Sequence, residues 1–135
     1  MKYLVDTSAL TRIIRGQVGQ DWADLRQRGL LAVCEPVLAE TLLIAKGEEY
    51  EELEESINED YLPVTVPDDI WRMAAAVRRD LASNGAHRGM SVADFVIAAT
   101  AIRLKLTVLH EDGDYETVAR FVPELQQRRI SAGSK

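Results

Sequence analysis

The chain has 135 residues, nearly half of them apolar, and a net charge of −6. That length suits one domain around one core, residues 1–135, and the apolar share excludes a disordered chain. No apolar run approaches the roughly 20 residues that span a bilayer, and an N-terminus with only Lys2 as a basic flank does not read as a secretory leader. One cysteine, Cys34, cannot form an internal disulfide and reads as a small buried apolar side chain. These features predict a cytoplasmic protein with no membrane partner. The charge is uneven. Residues 48–60, EEYEELEESINED, hold eight acids and no base, so the rest of the chain is slightly basic and a polyanionic partner stays open.

The elements alternate along the chain. KYLV (2–5) reads as a buried strand and SALTRIIRG (8–16) as a short helix closed by Gly16. DWADLRQRG (21–29) reads as a helix with Asp21 as N-cap and Gly29 past its end. LLAVC (30–34) is a second buried strand. Pro36 suits the first turn of a helix that runs to Gly47. The acidic stretch spaces Tyr50, Leu53, Ile57 and Tyr61 three or four apart, one apolar stripe on a charged helix. LPVTV (62–66) is a short strand, 68–85 a long amphipathic helix, and 91–105 an almost wholly apolar helix. LTVLH (106–110) is a strand, DYETVARFV (114–122) a helix, and QQRRI (126–130) a final edge strand. Val- and Leu-rich strands separated by helices predict an α/β fold with a mainly parallel central sheet. In such sheets, sites form beyond the carboxyl ends of the strands.

Four acids stand out in apolar settings. Asp6 ends the first strand, Glu40 is the only ionisable residue between Glu35 and Lys46, Asp94 is the only one between Arg88 and Arg103, and Asp112 follows the strand TVLH closely. A lone buried carboxylate costs several kcal/mol unless something compensates it. Each acid has a plainer role: Asp6 as a helix cap, Asp94 with Ser91 as a capping box, Asp112–Gly113 as a turn pair. Glu40, mid-helix, has none. One divalent cation would explain all four together, because Mg²⁺ and Mn²⁺ take oxygen ligands.

These segments resemble a known family. YLVDTSAL at the start, Glu40 in an early apolar helix, ADFVIAATA around Asp94 and LTVLHEDGDYETVA near the end look like a PIN domain, and most like the VapC toxins of bacterial and archaeal toxin–antitoxin pairs. The order and spacing of the four segments agree over nearly the whole chain. The resemblance implies a three-layer α/β/α sandwich on a short, mainly parallel sheet. It implies Mg²⁺-dependent (or Mn²⁺-dependent) endonucleolytic cleavage of RNA, a VapB-like antitoxin as partner, and a homodimer. By position, Asp6, Glu40, Asp94 and Asp112 match the family's catalytic, metal-holding acids. Ser8 and Asp114 stand as supporting residues, and Asp112 and Asp114 both fit the fourth acid. Where the family often has Asp-Phe, this chain has Asp114-Tyr115.

Substrate phosphates need a cationic rim, for which Arg12 and Arg15 are the substrate-binding candidates, with Arg78, Arg79 and Arg88 behind them. Two other functions compete: a free-standing PIN nuclease in RNA processing, and a non-catalytic module whose acids bind metal only for structure. Trp22 and Trp71 are expected in the core or an interface, and His87 and His110 are not expected at a site of such hard ligands.

Overall fold

A computed structural model describes residues 2–134. Five strands form one sheet: β1 (Tyr3–Val5), β2 (Leu31–Cys34), β3 (Leu62–Val64), β4 (Thr107–His110) and β5 (Gln126–Arg129). Their order is β3-β2-β1-β4-β5 and every pairing is parallel. Seven helices complete the α/β/α sandwich: α1 (Thr7–Ile14), α2 (Gln20–Gln27), α3 (Glu35–Thr41), α4 (Tyr50–Asp60), α5 (Ile70–Ser83), α6 (Val92–Leu104) and α7 (Gly113–Phe121). No helix among the described residues is long and apolar enough to cross a membrane.

The central strands are short, and both faces of the sheet are covered. Every residue of β1, β2 and β4 is buried, as expected of parallel strands flanked by helices. The edges look different. β3 carries Pro63, tolerated at an edge because a proline cannot donate to a further ladder. β5 is QQRR, polar at the other edge. From β1 the chain steps outward through β2 to β3, then crosses back to β4 on the opposite side of β1. The strand order therefore reverses between β1 and β4, the place where open α/β sheets build their sites.

Helices α1, α2 and α5 end at Gly16, Gly29 and Gly85, each with positive φ as their sequence positions predict. Three expectations change. Gly19, not Asp21, is the N-cap of α2, and Asp21 sits in its first turn, where its Oδ2 accepts the backbone N–H of Ser134. The helix expected up to Gly47 stops at Thr41 and tightens into a 3₁₀ turn, Leu42–Ile44. Gly47 lacks the positive φ of a helix stop and opens a second 3₁₀ turn instead. Helix α6 is buried from Val96 to Ala101, and α5 supplies Ile70 and Ala74 to cover Val96 and Ala99. Packing against α5 thus hides much of this almost wholly apolar helix.

The acidic helix α4 divides along its length. Ile57 and Tyr61 enter the core, Leu53 is half-buried and Tyr50 is exposed. Of the tryptophans, Trp22 is buried and its Nε1–H donates to the Ile130 carbonyl, whereas Trp71 stays exposed on α5.

Candidate active site

β1 and β4 end side by side. Val5 pairs with Leu109, and the Asp6 N–H donates to the Leu109 carbonyl at 3.0 Å, one step past the strand. Asp6 then turns the chain into α1 as its N-cap, its Oδ1 accepting the Ala9 N–H at 2.9 Å. Asp112 does the same for α7, accepting the Asp114 N–H at 3.0 Å. Asp94 lies in the first turn of α6, in a reciprocal capping box with Ser91. The plain capping roles are thus all realised at these positions. A helix N-terminus stabilises negative charge, and three such termini gather their acids into one cleft. Glu40 is the exception. It lies in the last turn of α3, where the helix dipole opposes it, and its Oε1 accepts the Thr7 hydroxyl at 2.8 Å.

The cleft, about 460 Å³, is lined by Asp6, Glu40, Asp94 and Asp112, with Ser8, Arg12 and Arg15 among its other walls. Asp94, Asp112 and Asp114 each offer one carboxylate oxygen within 4.8 Å of those of the other two. Asp6 and Glu40 line the same cleft outside that tight trio. Arg78, Arg79 and Arg88 do not line it; Arg78 borders a separate hollow beside Trp71.

Burial sets the electrostatics. Asp6 is almost fully enclosed, which pushes its carboxyl from 3.8 up to about 6 despite the opposing hydrogen bonds from Ala9 and Ser8. The nearby charge of Asp94 adds to the rise. Burial, then the charges of Asp112 and Asp94, also raise the Asp114 carboxyl. This donor set is all oxygen and its members repel one another, which fits a hard divalent cation. Cys34 takes no part: burial lifts its thiol to about 11, and it lines a different hollow at the ends of β2 and β3.

The supporting contacts were mostly invisible in the sequence. Ser8 Oγ donates to both oxygens of Asp6, at 2.7 and 3.0 Å. His110 is fully buried, and its Nδ1 accepts the Asp112 N–H at 3.0 Å. The ring proton therefore resides on Nε2, which donates to Gln127 Oε1 at 2.7 Å. Desolvation lowers the imidazole's pKa and keeps it neutral. A histidine not expected at the site thus anchors the backbone of one of its acids. Thr7 likewise gave no signal beyond a hydroxyl at a helix start.

Residues 3–121 match the PIN domain model, and the chain belongs to that family. Within it, the relatives are VapC proteins. Ribonuclease VapC6 of Mycobacterium tuberculosis is 36% identical over 98 residues, covering 72% of this chain and 77% of that protein. Ribonuclease VapC21 of the same organism is 33% identical over 134 residues, 98% of this chain and 97% of that one. Among solved structures, a DNA-bound VapBC from Salmonella typhimurium shares the fold with a TM-score of 0.78 at 15% identity, over 96% of this chain and 98% of that chain.

Proposed function

We propose that this chain, acting as one domain, is a cytoplasmic Mg²⁺-dependent endoribonuclease, the toxin of a VapBC-type pair, with Mn²⁺ as an alternative metal. The observation that carries the reading is the meeting of one oxygen each from Asp94, Asp112 and Asp114, with Asp94 and Asp112 lining a cleft together with Asp6 and Glu40 at the switch point of the sheet. The VapC ribonuclease relatives supply the reaction class.

In this mechanism Asp94, Asp112 and Asp114, with Asp6 and Glu40 beside them, would hold the cation. Bound there, it would lower the pKa of a water and neutralise phosphate charge. The remaining work belongs to the chain. Arg12 on α1 and Arg15 at its C-cap, both exposed, meet the phosphates and offset the repulsion between an anionic cleft and RNA. Thr7 fixes one oxygen of Glu40 and leaves the other to accept a proton from attacking water. Ser8 keeps Asp6 facing the cleft.

The antitoxin reading rests on a second surface. Ile14, Ile44, Ala45 and Leu53 form an apolar hollow edged by Glu49 and Glu52, with Leu43 83% exposed alongside. That chemistry suits a basic amphipathic segment of a VapB-like partner. For the homodimer, the support is the exposed Trp71 and Val92 beside the α5–α6 hollow.

The deciding experiment is co-purification with the product of the neighbouring gene, followed by RNA cleavage by the separated protein with and without Mg²⁺. Metal-dependent cleavage, lost in Asp94→Asn, supports the reading; no cleavage under any metal condition overturns it. Cleavage without a co-purifying partner favours the free-standing nuclease instead.

A further inference from the structure

Tyr115, early in α7, is fully buried, its ring packed on the His110 imidazole with centroids 5.1 Å apart. Its hydroxyl donates to Asp94 Oδ1 at 3.3 Å. The other oxygen of Asp94, Oδ2, accepts the Ser91 N–H at 3.2 Å. Both oxygens are therefore held, one from α7 and one from the N-cap of α6 itself. Burial, then the charges of Asp6 and Asp94, push the phenol's pKa far up, so it stays a neutral donor among acids.

We infer that Tyr115 is a positioning residue whose hydroxyl fixes the carboxylate plane of Asp94 toward a divalent cation shared with Asp112 and Asp114. This rests on the metal-nuclease reading above. Phenylalanine would fill the same space and keep its packing on His110, but it has no donor. The Asp94 carboxylate would then be held on one side only and free to rotate about its last torsion. Groups that orient a metal ligand through hydrogen bonds typically contribute 10- to 100-fold in metal affinity, about what removal of this one donor would take away. The tyrosine also joins the two halves of the trio, since α7 carries Asp114 and Tyr115 and α6 carries Asp94.

The test is Tyr115→Phe, read by Mn²⁺ binding to the purified protein through the electron paramagnetic resonance of free Mn²⁺, with RNA cleavage as a second readout. The expected result is Mn²⁺ affinity about tenfold weaker or more, with the thermal midpoint falling less than in Val118→Ala. That second variant trims a buried apolar residue of the same helix and should lose stability while keeping its Mn²⁺ affinity. Unchanged affinity in Tyr115→Phe, with tight binding by the wild type, overturns the positioning role and leaves the nuclease standing. An equal loss of affinity in Val118→Ala overturns it too, because packing alone would then explain the effect. Wild-type protein that neither binds Mn²⁺ nor cleaves RNA overturns the nuclease reading and this one with it.

Discussion

Ser8 and Glu111 are joined across the sheet: the Glu111 N–H donates to Ser8 Oγ at 2.9 Å, while the same hydroxyl donates to Asp6. One side chain thus ties the ends of β1 and β4 together and aims an acid into the cleft. Ser8→Ala removes a donor from a buried carboxylate and an acceptor from a half-buried N–H. The loss should be about 1–3 kcal/mol of stability, measured by urea unfolding. RNA cleavage should fall with it, whereas Ser8→Thr should retain both.

Asp6 makes stability depend on pH with a definite sign. Its carboxyl is raised from 3.8 to about 6 in the folded protein, so between those values the fold keeps a proton that the unfolded chain releases. The stabilisation is fully present below about pH 4 and is lost as pH rises through about 6. Two pKa units correspond to at most about 3 kcal/mol. Asp6→Asn keeps an oxygen for Ala9 and cannot ionise. In metal-free protein, its stability relative to wild type should therefore improve by up to that amount between pH 4 and pH 7. A flat difference across this range would mean Asp6 ionises normally.

Removing an acid proposed to hold the metal should separate activity from folding. Asp94→Asn and Asp112→Asn each lower the mutual repulsion of the trio, so thermal stability should hold or rise. RNA cleavage should drop on the order of a hundredfold or more, equivalent to several kcal/mol of transition-state stabilisation. Full cleavage by Asp94→Asn would remove that residue from the site.

Thr7 and Glu40 form a pair 33 residues apart. Thr7→Val keeps the shape and removes the donor to a carboxylate, a bond worth about 1.5–3 kcal/mol. In the wild-type background cleavage should fall about tenfold or more. In a Glu40→Gln background, where the charge is already gone, the same change should matter little; comparing the double variant with both singles measures the coupling.

Arg12→Ala and Arg15→Ala should act mainly on substrate binding. Removing one phosphate-binding cation from a complex with single-stranded RNA reduces the salt slope of the log binding constant by about 0.7. Filter binding at several salt concentrations, with the inactive Asp94→Asn protein, checks this; an unchanged slope would make both arginines solvated surface.

Much of the chain's organisation is local and was legible. Apolar runs ending at Asp6 and near Asp112, glycines placed just past three helices, and the Ser91–Asp94 capping spacing each depend on neighbours a few residues away. The gap lay at the end of α3. Gly47 resembled a helix stop, but its backbone does not take the conformation that gives glycine that role. What covers the apolar circumference of α6 was also out of reach, because composition does not tell whether a neighbouring helix or a second chain covers a surface; α5 covers Val96 and Ala99.

By itself the sequence determined the alternation of strands and helices, the acids that sit at strand and helix ends, and the resemblance that those segments carry. Tertiary structure decided which oxygens meet. Asp114 joins Asp94 and Asp112 in the tight trio while Asp6 and Glu40 stand beside it, and His110, Thr7 and Tyr115, none of them assigned a role from the sequence, hydrogen-bond to groups of the site. The physical reason is range. Periodicity and capping are set by hydrogen bonds within a turn or two of the chain. A site of this kind depends on parallel strands whose crossovers bring residues dozens of positions apart to the same edge of one sheet.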